Sequence, residues 1–270
     1  MIIREIECKS ALSDTGLPAD YAINCYVGCQ HACHYCYARY MKRFTGHREP
    51  WGTFVDVRVN APEVLEREVR RKPQGSVMLS SVCDGWQPLE ARHGVSSRCV
   101  EILARHGWHV RILTKSASVR RVLPFLEGKP ADVGVTVTAF DESLRRAIEP
   151  GASPTVERLN VLKEAAERGI AVWAFLGPFL PMLTDTEENI EALVAAVARL
   201  PVTHIHTDRV NFRSGVAASV KQMVAKQFPH LAPDYGWLGR DVDEDRAYAD
   251  QLDTRIARLL RRHGLAGKVR

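Results

Sequence analysis

Three cysteines in one short segment carry the clearest chemical signal in this sequence. Cys29, Cys33 and Cys36 have the spacing CxxxCxxC, and Tyr37 follows at once. Three thiolates can ligate three irons of a 4Fe–4S cube, whose full set of protein ligands would be four cysteines. The fourth iron would then be open to a ligand that is not a protein side chain. The spacing therefore predicts an iron–sulfur cluster with one open coordination site.

A structural zinc site is the main alternative for the same segment. Cys25 lies four residues before Cys29, so the segment could supply four thiolates. Structural zinc sites usually pair two short knuckles across a longer spacer, and cysteines crowded into residues 25–36 do not follow that pattern. His31 and His34 could also ligate a metal, but packing or solvent exposure is the default for each. The zinc alternative stays open at this point.

Length and composition predict one ordinary globular domain. The chain has 270 residues, of which 46% are hydrophobic and 26% charged. No apolar run approaches the ~20 residues that a membrane span needs. Seven cysteines without a signal peptide predict a reducing cytoplasm and metal or catalytic use of the thiols. The net charge of +5 is compatible with a polyanionic partner but does not demonstrate one.

Strand-like and helix-like stretches alternate along the chain. Apolar, β-branched runs predict strands at residues 21–26, 76–81, 110–114, 133–138, 170–176 and 202–206. Buried strands that alternate with helices predict a parallel sheet with right-handed crossovers. Six such units form an open, partial (β/α)6 barrel of the TIM type. We expect one domain over residues 1–270, with the barrel at about 20–212 and a helical extension at about 213–270.

Capping signals place the ends of several helices. Asn60, Ser153 and Asp185 stand where helices should begin, and Asp185 with Glu188 resembles a capping box. The expected helix stops are Gly107, Gly128 and Gly169.

The cysteine segment resembles the cluster loop of the radical S-adenosylmethionine (SAM) enzymes. The resemblance implies that the amine and carboxylate of SAM chelate the open iron. It also implies that an electron from the cluster splits the sulfonium, giving a 5′-deoxyadenosyl radical that takes hydrogen from a substrate carbon. The cofactors would supply the chemistry, while the protein positions and shields them. A reducing partner of the flavodoxin or ferredoxin type is implied as well.

Polar segments follow several of the predicted strands. Ligands of parallel α/β sheets bind at the carboxyl ends of the strands, and Asp84 and Lys115 lie at two of those ends. A zwitterionic methionine that carries a sulfonium needs a carboxylate and an ammonium at its ends. These two residues are therefore candidate ligand-binding groups.

Several motifs together resemble the spore photoproduct lyase-related branch of the radical SAM proteins, over about residues 21–197. They are the cysteine loop, Asp84-Gly-Trp-Gln-Pro-Leu-Glu90, Thr114-Lys115-Ser116 and Ile148-Glu149-Pro150. The resemblance implies a partial barrel in which Cys29, Cys33 and Cys36 hold the cluster. By position in the motifs, the residues that would line the SAM pocket are Tyr35, Cys83, Asp84, Lys115, Thr136 and Thr138. Glu149 is a further candidate, with a salt bridge at a helix end as the alternative.

The sequence departs from the lyase pattern at the residue that returns hydrogen. Ser81 stands where the lyase has a cysteine, and a serine O–H bond is too strong to return a hydrogen atom readily. If the strand at 76–81 continues to Cys83, Ser81 and Cys83 face the same side. Cys83 is then a candidate hydrogen donor with Tyr37 as a radical relay, or else a small buried residue that packs against SAM. Repair of thymine photoproducts is therefore not predicted by the sequence alone.

Two functional classes remain. The first is a radical SAM enzyme that acts on a nucleic acid, a peptide or a small metabolite, with DNA favoured by analogy and by the mild positive charge. The second is a non-enzymatic iron–sulfur or zinc protein. Asp84, Lys115 and the Thr136/Thr138 pair favour the enzyme, because a binding module needs no SAM-binding groups at three strand ends. The oligomeric state is not predicted.

Overall fold

The computed structural model describes residues 1–212, 215–236 and 242–270, with side chains of the last range from residue 246 onward. The strands of the described residues are β1 (Ile2–Ile6), β2 (Ser13–Asp14), β3 (Tyr21–Ile23), β4 (Tyr26–Val27), β5 (Phe54–Arg58), β6 (Ser76–Leu79), β7 (His109–Thr114), β8 (Ala131–Val137), β9 (Ala171–Phe179) and β10 (His204–Arg209). The helices are α1 (Ala61–Glu68), α2 (Glu90–His93), α3 (Val95–Arg105), α4 (Leu123–Leu126), α5 (Glu142–Ile148), α6 (Thr155–Glu167), α7 (Glu187–Ala198), α8 (Val216–Gln227) and α9 (Val242–Arg262). The expected extension at 213–270 lies partly outside the described residues, and its boundary stays a prediction.

The main sheet is mostly parallel and confirms the predicted partial barrel. Its strand order is β10-β9-β8-β7-β6-β3-β2, and only β2 runs antiparallel to its neighbour. Five of the six strands expected from the sequence are present, and the one expected at 21–26 is divided into β3 of this sheet and β4, which pairs with another sheet. The strand expected at 76–81 ends at Leu79, because Ser80 has a positive φ of 69° and the chain turns there.

A second, small sheet was not expected from the sequence. In it β5 pairs parallel with β1 and antiparallel with β4. Phe54, Val55 and Val57 are fully buried, so β5 is a short core strand. Its β-branched run was a signal that sequence analysis could have used.

The strands of the main sheet divide their side chains between two faces. In β8, Val133, Val135 and Val137 are fully buried in the large core between the sheet and the helices. Because successive side chains of a strand point to opposite faces, Gly134 and Thr136 lie on the other face, which we call the inner face. No helix among the described residues is long and apolar enough to cross a membrane.

The capping expectations hold at some helix ends and fail at others. Asn60 precedes α1 as expected, yet its side-chain amide bonds the backbone of Cys8 instead of the helix. The cap expected at Asp185 is wrong, because the hydroxyl of Thr186 accepts the N-terminal hydrogen bond of α7. The residues of positive φ that follow α3, α4 and α6 are the expected Gly107, Gly128 and Gly169.

Candidate active site

The cysteine loop joins β4 to a 3-10 helix at Tyr37–Phe44, and close backbone packing fixes it. Gly28 has a φ of +89°, and a Cβ there would overlap the carbonyl oxygen of Phe54 in β5. A Cβ on Gly151 would overlap the carbonyl oxygen of Gln30. Only glycine fits at these two contacts, so the small sheet and the α5–α6 connection press directly on the loop.

Hydrogen bonds hold the same loop to the end of α5, to the α5–α6 connection and to the segment that follows β6. The amide of His34 donates to Ile148 O at 3.0 Å, and the amide of Gly151 donates to His31 O at 3.0 Å. The side chain of Gln87 accepts from the amide of Gln30 at 2.8 Å. The protein's own bonds therefore determine the loop conformation, so the cysteines are held in place by the fold itself.

The donor set of this loop fits a cluster better than a single zinc ion. Cys29 and Cys33 are buried and Cys36 is partly exposed. Sulfurs around one zinc lie within about 4 Å of each other, because Zn–S bonds are about 2.3 Å long. Among the described residues no three Cys, His, Asp or Glu side chains converge closely enough for a single ion. A cube spreads its cysteines further apart, because each binds a different iron.

The fourth cysteine of the zinc alternative lies elsewhere. Cys25 is fully buried in the main core, and its Sγ lies 3.8 Å from Sγ of Cys99. This contact assigns Cys25 to the packing between the β3–β4 connection and α3. The zinc site considered from the sequence is therefore not supported by the positions of its ligands.

Lys115 brings a positive charge to the cysteine loop. Its ammonium lies 5.7 Å from the centroid of the Tyr35 ring, and within the described part of the chain it has no hydrogen-bond or ion-pair partner. Burial lowers the pKa of Lys115, but Cys33 and Glu149 raise it further, so the net pKa is raised. Burial also raises the pKa of Cys33 to about 12, against the lowering effect of Lys115. A charged ammonium thus faces the loop, ready for an anionic group.

Asp84 organises the strand ends through hydrogen bonds. Its Oδ1 accepts from Thr114 Oγ1 at 2.7 Å and from the amide of Trp86 at 2.9 Å. Its Oδ2 accepts from the amide of Lys115 at 2.8 Å and lies 3.4 Å from Nδ1 of His31. The carboxylate therefore ties the segment after β6 to the end of β7 and to the cysteine loop. For His31 the default expectation was packing or solvent exposure, and the structure gives it this ionisable neighbour.

Glu149 forms the salt bridge that the sequence left as its alternative. Its Oε2 accepts from Nη2 of Arg158 at 2.5 Å, and both side chains are fully buried. Its Oε1 accepts from the hydroxyl of Tyr35 and lies 3.0 Å from Oγ1 of Thr138. Burial opposes ionisation, but Arg158 and Lys115 hold the pKa of Glu149 at about 2. Sequence reasoning missed Arg158, because nothing local distinguishes it from a surface residue of α6.

Thr136 and Thr138 lie at different positions along the β8 direction on the inner face. Thr138 is fully buried, and its hydroxyl donates to Gly177 O at 2.6 Å. Thr136 pairs in register with Phe175 of β9, which pairs with His206 of β10. Thr114 of β7 pairs in register with Val135 of β8. The next residue, Lys115, therefore lies opposite Thr136. Lys115, Thr136, Phe175 and His206 therefore form one row across the sheet, which we call the inner row.

The last two members of the inner row were not expected from the sequence. Phe175 and His206 are partly exposed, and their ring centroids lie 6.5 Å apart. Alternation along β9 and β10 could have placed them on this face. Neither carries a motif, which is why sequence analysis passed over them.

The structure overturns the argument that placed Cys83 beside Ser81. The chain leaves the strand at Ser80, so alternation does not reach Cys83. Both residues instead contact Asn24, whose Nδ2 donates to Ser81 Oγ at 2.9 Å and whose Oδ1 lies 3.8 Å from Cys83 Sγ. Burial raises the pKa of Cys83 to about 12, so the thiol stays protonated. The hydroxyl of Tyr37 donates to Ser81 O.

Solved structures share this architecture. Spore photoproduct lyase complexed with dinucleoside spore photoproduct superposes with a TM-score of 0.69 at 15% identity, covering 98% of this chain and 80% of the lyase chain. A variant of the same lyase with bound AdoMet and dinucleoside spore photoproduct gives a TM-score of 0.68 at 14% identity, over 98% and 79% of the two chains. At these identities the likeness shows a common fold.

Sequence comparisons identify the family. An uncharacterized protein of Mycobacterium tuberculosis is 30% identical over 279 residues, which cover 98% of this chain and 82% of the relative. An uncharacterized protein of Methanocaldococcus jannaschii is 34% identical over 187 residues, covering 68% and 70%. The Radical SAM superfamily matches residues 23–197, which include the cysteine loop and the Lys115 and Glu149 segments. The chain thus belongs to the radical SAM superfamily, and is an enzyme that uses a 4Fe–4S cluster and SAM.

Proposed function

We propose that Cys29, Cys33 and Cys36 hold the 4Fe–4S cluster and that SAM binds beside it, against the inner face at Lys115. The observation that carries this assignment is the unpaired ammonium of Lys115 facing a loop of three cysteines. When bound, the cluster and SAM supply one-electron reductive cleavage of the sulfonium and a primary carbon radical. A reductant of the flavodoxin or ferredoxin type supplies the electron. The remaining chemistry belongs to this chain's own residues.

The side chains around Lys115 have distinct tasks in this proposal. Lys115 binds the SAM carboxylate by charge, because it is the ammonium without a partner of its own among the described residues at the site. Asp84 holds Lys115 at the strand end through its backbone amide and acts as a positioning residue. The buried group of Glu149, Arg158, Tyr35 and Thr138 satisfies its own hydrogen bonds and excludes water from that side.

We propose a nucleic acid as the substrate. The partly exposed rings of Phe175 and His206 lie on the inner row with Lys115 and Thr136, where a nucleobase can stack near SAM. On the outer surface, the exposed Arg43 lies over the rings of Tyr40 and Phe44 at 5.5 and 4.6 Å. Such basic and aromatic pairing suits a polyanionic strand, and the net charge of +5 agrees with it.

Cys83 is the proposed hydrogen donor, on chemical grounds and not on strand alternation. Its thiol stays protonated and shares the Asn24 amide with Ser81, where the lyase pattern has its cysteine. Tyr37, which reaches Ser81 through its hydroxyl, is the proposed relay. Cys83→Ser should leave 5′-deoxyadenosine formation intact and give abortive products from the substrate radical. Normal product from Cys83→Ser would remove the donor role.

The substrate proposal is tested with anaerobically reconstituted protein, a low-potential reductant and SAM. Oligonucleotides, including ultraviolet-irradiated DNA, and a pool of peptides are offered in parallel. We expect nucleic acid to stimulate formation of 5′-deoxyadenosine, with deuterium from labelled nucleotides appearing in it by mass spectrometry. Phe175→Ala should weaken this stimulation and leave SAM binding unchanged, whereas Phe125→Ala, at an exposed phenylalanine of α4, should leave both unchanged. Stimulation by peptides alone would contradict the nucleic-acid proposal.

A further inference from the structure

Trp51 carries a buried hydrogen-bond donor that makes no well-formed hydrogen bond among the described residues. Its side chain lies among the buried residues, with 8% of the residue exposed. Within the described part of the chain, its indole Nε1 makes no hydrogen bond of good geometry, and the acceptor that it approaches is the Cys36 thiol. A buried polar group without a partner is unfavourable, and such groups are rare in native proteins. The indole N–H therefore needs a stronger acceptor than the neutral Cys36 thiol.

The surroundings of Trp51 restrict what that acceptor can be. The ring belongs to a small buried cluster with Cys29, Ala38 and Phe54, and Cys36 packs against the same cluster. It meets Phe54 edge-on, with the ring centroids 5.9 Å apart and the planes at 86°. Alanine and phenylalanine side chains accept no hydrogen bonds. The acceptors within the cluster are consequently sulfurs.

The strongest hydrogen-bond acceptor among these sulfurs is a cysteine sulfur that binds metal. Besides the two cysteines, the cluster's one other sulfur among the described residues is the thioether of the partly buried Met41, and a thioether is a weak acceptor. Of the two cysteines, Cys36 is the one that the indole N–H approaches. A metal-bound cysteine sulfur carries negative charge, and hydrogen bonds to charged acceptors are roughly twice as strong as neutral ones. Trp51 also lies beside Gly52, which packs directly on Ala32 of the cysteine loop.

We propose that the indole N–H of Trp51 donates a hydrogen bond to the Cys36 sulfur of the assembled cluster and thereby raises the reduction potential of the cluster. Hydrogen bonds to the sulfurs are among the factors that set the potential of an iron–sulfur cluster. The bond stabilises the reduced cluster more than the oxidised one, because the reduced cluster carries the extra negative charge. Trp51 is thus a positioning residue that acts through Cys36. The proposal rests on the cluster ligands assigned above and is independent of the substrate.

The first test replaces the donor while keeping an aromatic ring. In Trp51→Phe, a redox titration followed by electron paramagnetic resonance should give a more negative midpoint potential than in the native protein. The matched control is Trp108→Phe, at a buried tryptophan of the main core that packs on Tyr21, and its potential should equal the native value. A native potential in Trp51→Phe, or an equal shift in both variants, would overturn the proposal.

A second measurement uses the native side chain, so that it does not depend on how well the variant assembles. Protein labelled with 15N at the indole nitrogens is reduced, and pulsed electron paramagnetic resonance is used to detect coupling between the cluster spin and 15N. The coupling should be present in the native protein and in Trp108→Phe, and absent from Trp51→Phe. A loaded native protein without 15N coupling would overturn the role of Trp51 and leave the cluster assignment standing. A native protein that assembles no cluster would overturn both.

Discussion

At the scale of single residues, the site depends on two buried charges that pair with each other and on one charge that has no partner among the described residues. Glu149 and Arg158 are fully buried and bonded to each other, whereas Lys115 reaches the cysteine loop without a partner among the described residues. A buried ion pair contributes little by itself, but removing one member leaves a buried charge uncompensated. The paired charges therefore maintain the structure of the site, and the unpaired ammonium is available for a ligand.

The first prediction concerns the buried pair. Arg158→Met should lower the free energy of unfolding by about 3–5 kcal/mol, because Glu149 is left buried without its guanidinium partner. Arg168→Met, in an exposed pair with Glu127, should change it by at most about 1 kcal/mol. Urea unfolding followed by circular dichroism measures both. Equal effects of the two variants would contradict the reading of Glu149–Arg158 as a structural pair.

The same pair predicts a dependence of stability on pH. The folded-state pKa of Glu149 is lowered from 4.5 to about 2, so the unfolded chain binds the proton more readily than the folded one. The stability that this group contributes is therefore present above about pH 4.5 and is lost as the pH falls towards 2. Urea midpoints measured between these values should fall less steeply in Glu149→Gln than in the native protein. Parallel profiles for the two proteins would refute the assignment.

Ligand binding by the strand-end charges is a third prediction. Lys115→Met should weaken SAM binding by tenfold or more (about 1.4 kcal/mol) and leave the iron content unchanged, because it removes a charge without touching a cysteine. Asp84→Ala should also weaken SAM binding, because it removes the hydrogen bond that fixes the backbone of Lys115. Calorimetric titration with SAM measures the change, with the exposed Lys163→Met as control. Undiminished affinity in both site variants would show that SAM is bound elsewhere.

At the scale of elements, the sequence predicted the main sheet because its strands are continuous apolar runs. It did not predict where β6 ends, since the positive φ of Ser80 depends on the segment that packs around it. It also missed the docking of the cysteine loop, because the contacts at Gly28 and Gly151 join residues far apart in the chain. The proposed cysteine ligands follow from spacing, whereas Arg158 and the rings of Phe175 and His206 required the fold.

The fourth prediction tests this docking. Gly151→Ala should reduce the iron bound per chain, because the added methyl group would overlap the backbone of the cysteine loop at Gln30. Gly16→Ala adds the same methyl group where nothing lies within 4 Å, and it should retain the native iron content. Iron analysis after anaerobic reconstitution compares the two variants, with circular dichroism as a check that both are folded. Native loading of Gly151→Ala would show that the loop does not need this contact.

At the scale of the whole molecule, the main sheet of the partial barrel positions all the proposed functional residues. The cysteine loop lies against the small β1-β5-β4 sheet on one side and against the strand ends of the main sheet on the other. The inner row then leads away from the loop across the sheet, from Lys115 to His206. In the proposed arrangement, the cluster, SAM and the substrate would lie along this row in that order. A radical generated at SAM would then lie next to the substrate carbon.

The central claim is that three cysteines hold the cluster, and metal analysis of cysteine variants tests it most directly. Anaerobically reconstituted native protein should contain about four iron and four sulfide per chain. Cys29→Ala, Cys33→Ala and Cys36→Ala should each lose the cluster. Cys99→Ala, in the main core, should keep it. A full cluster in Cys33→Ala, or stoichiometric zinc in the native protein, would contradict the account.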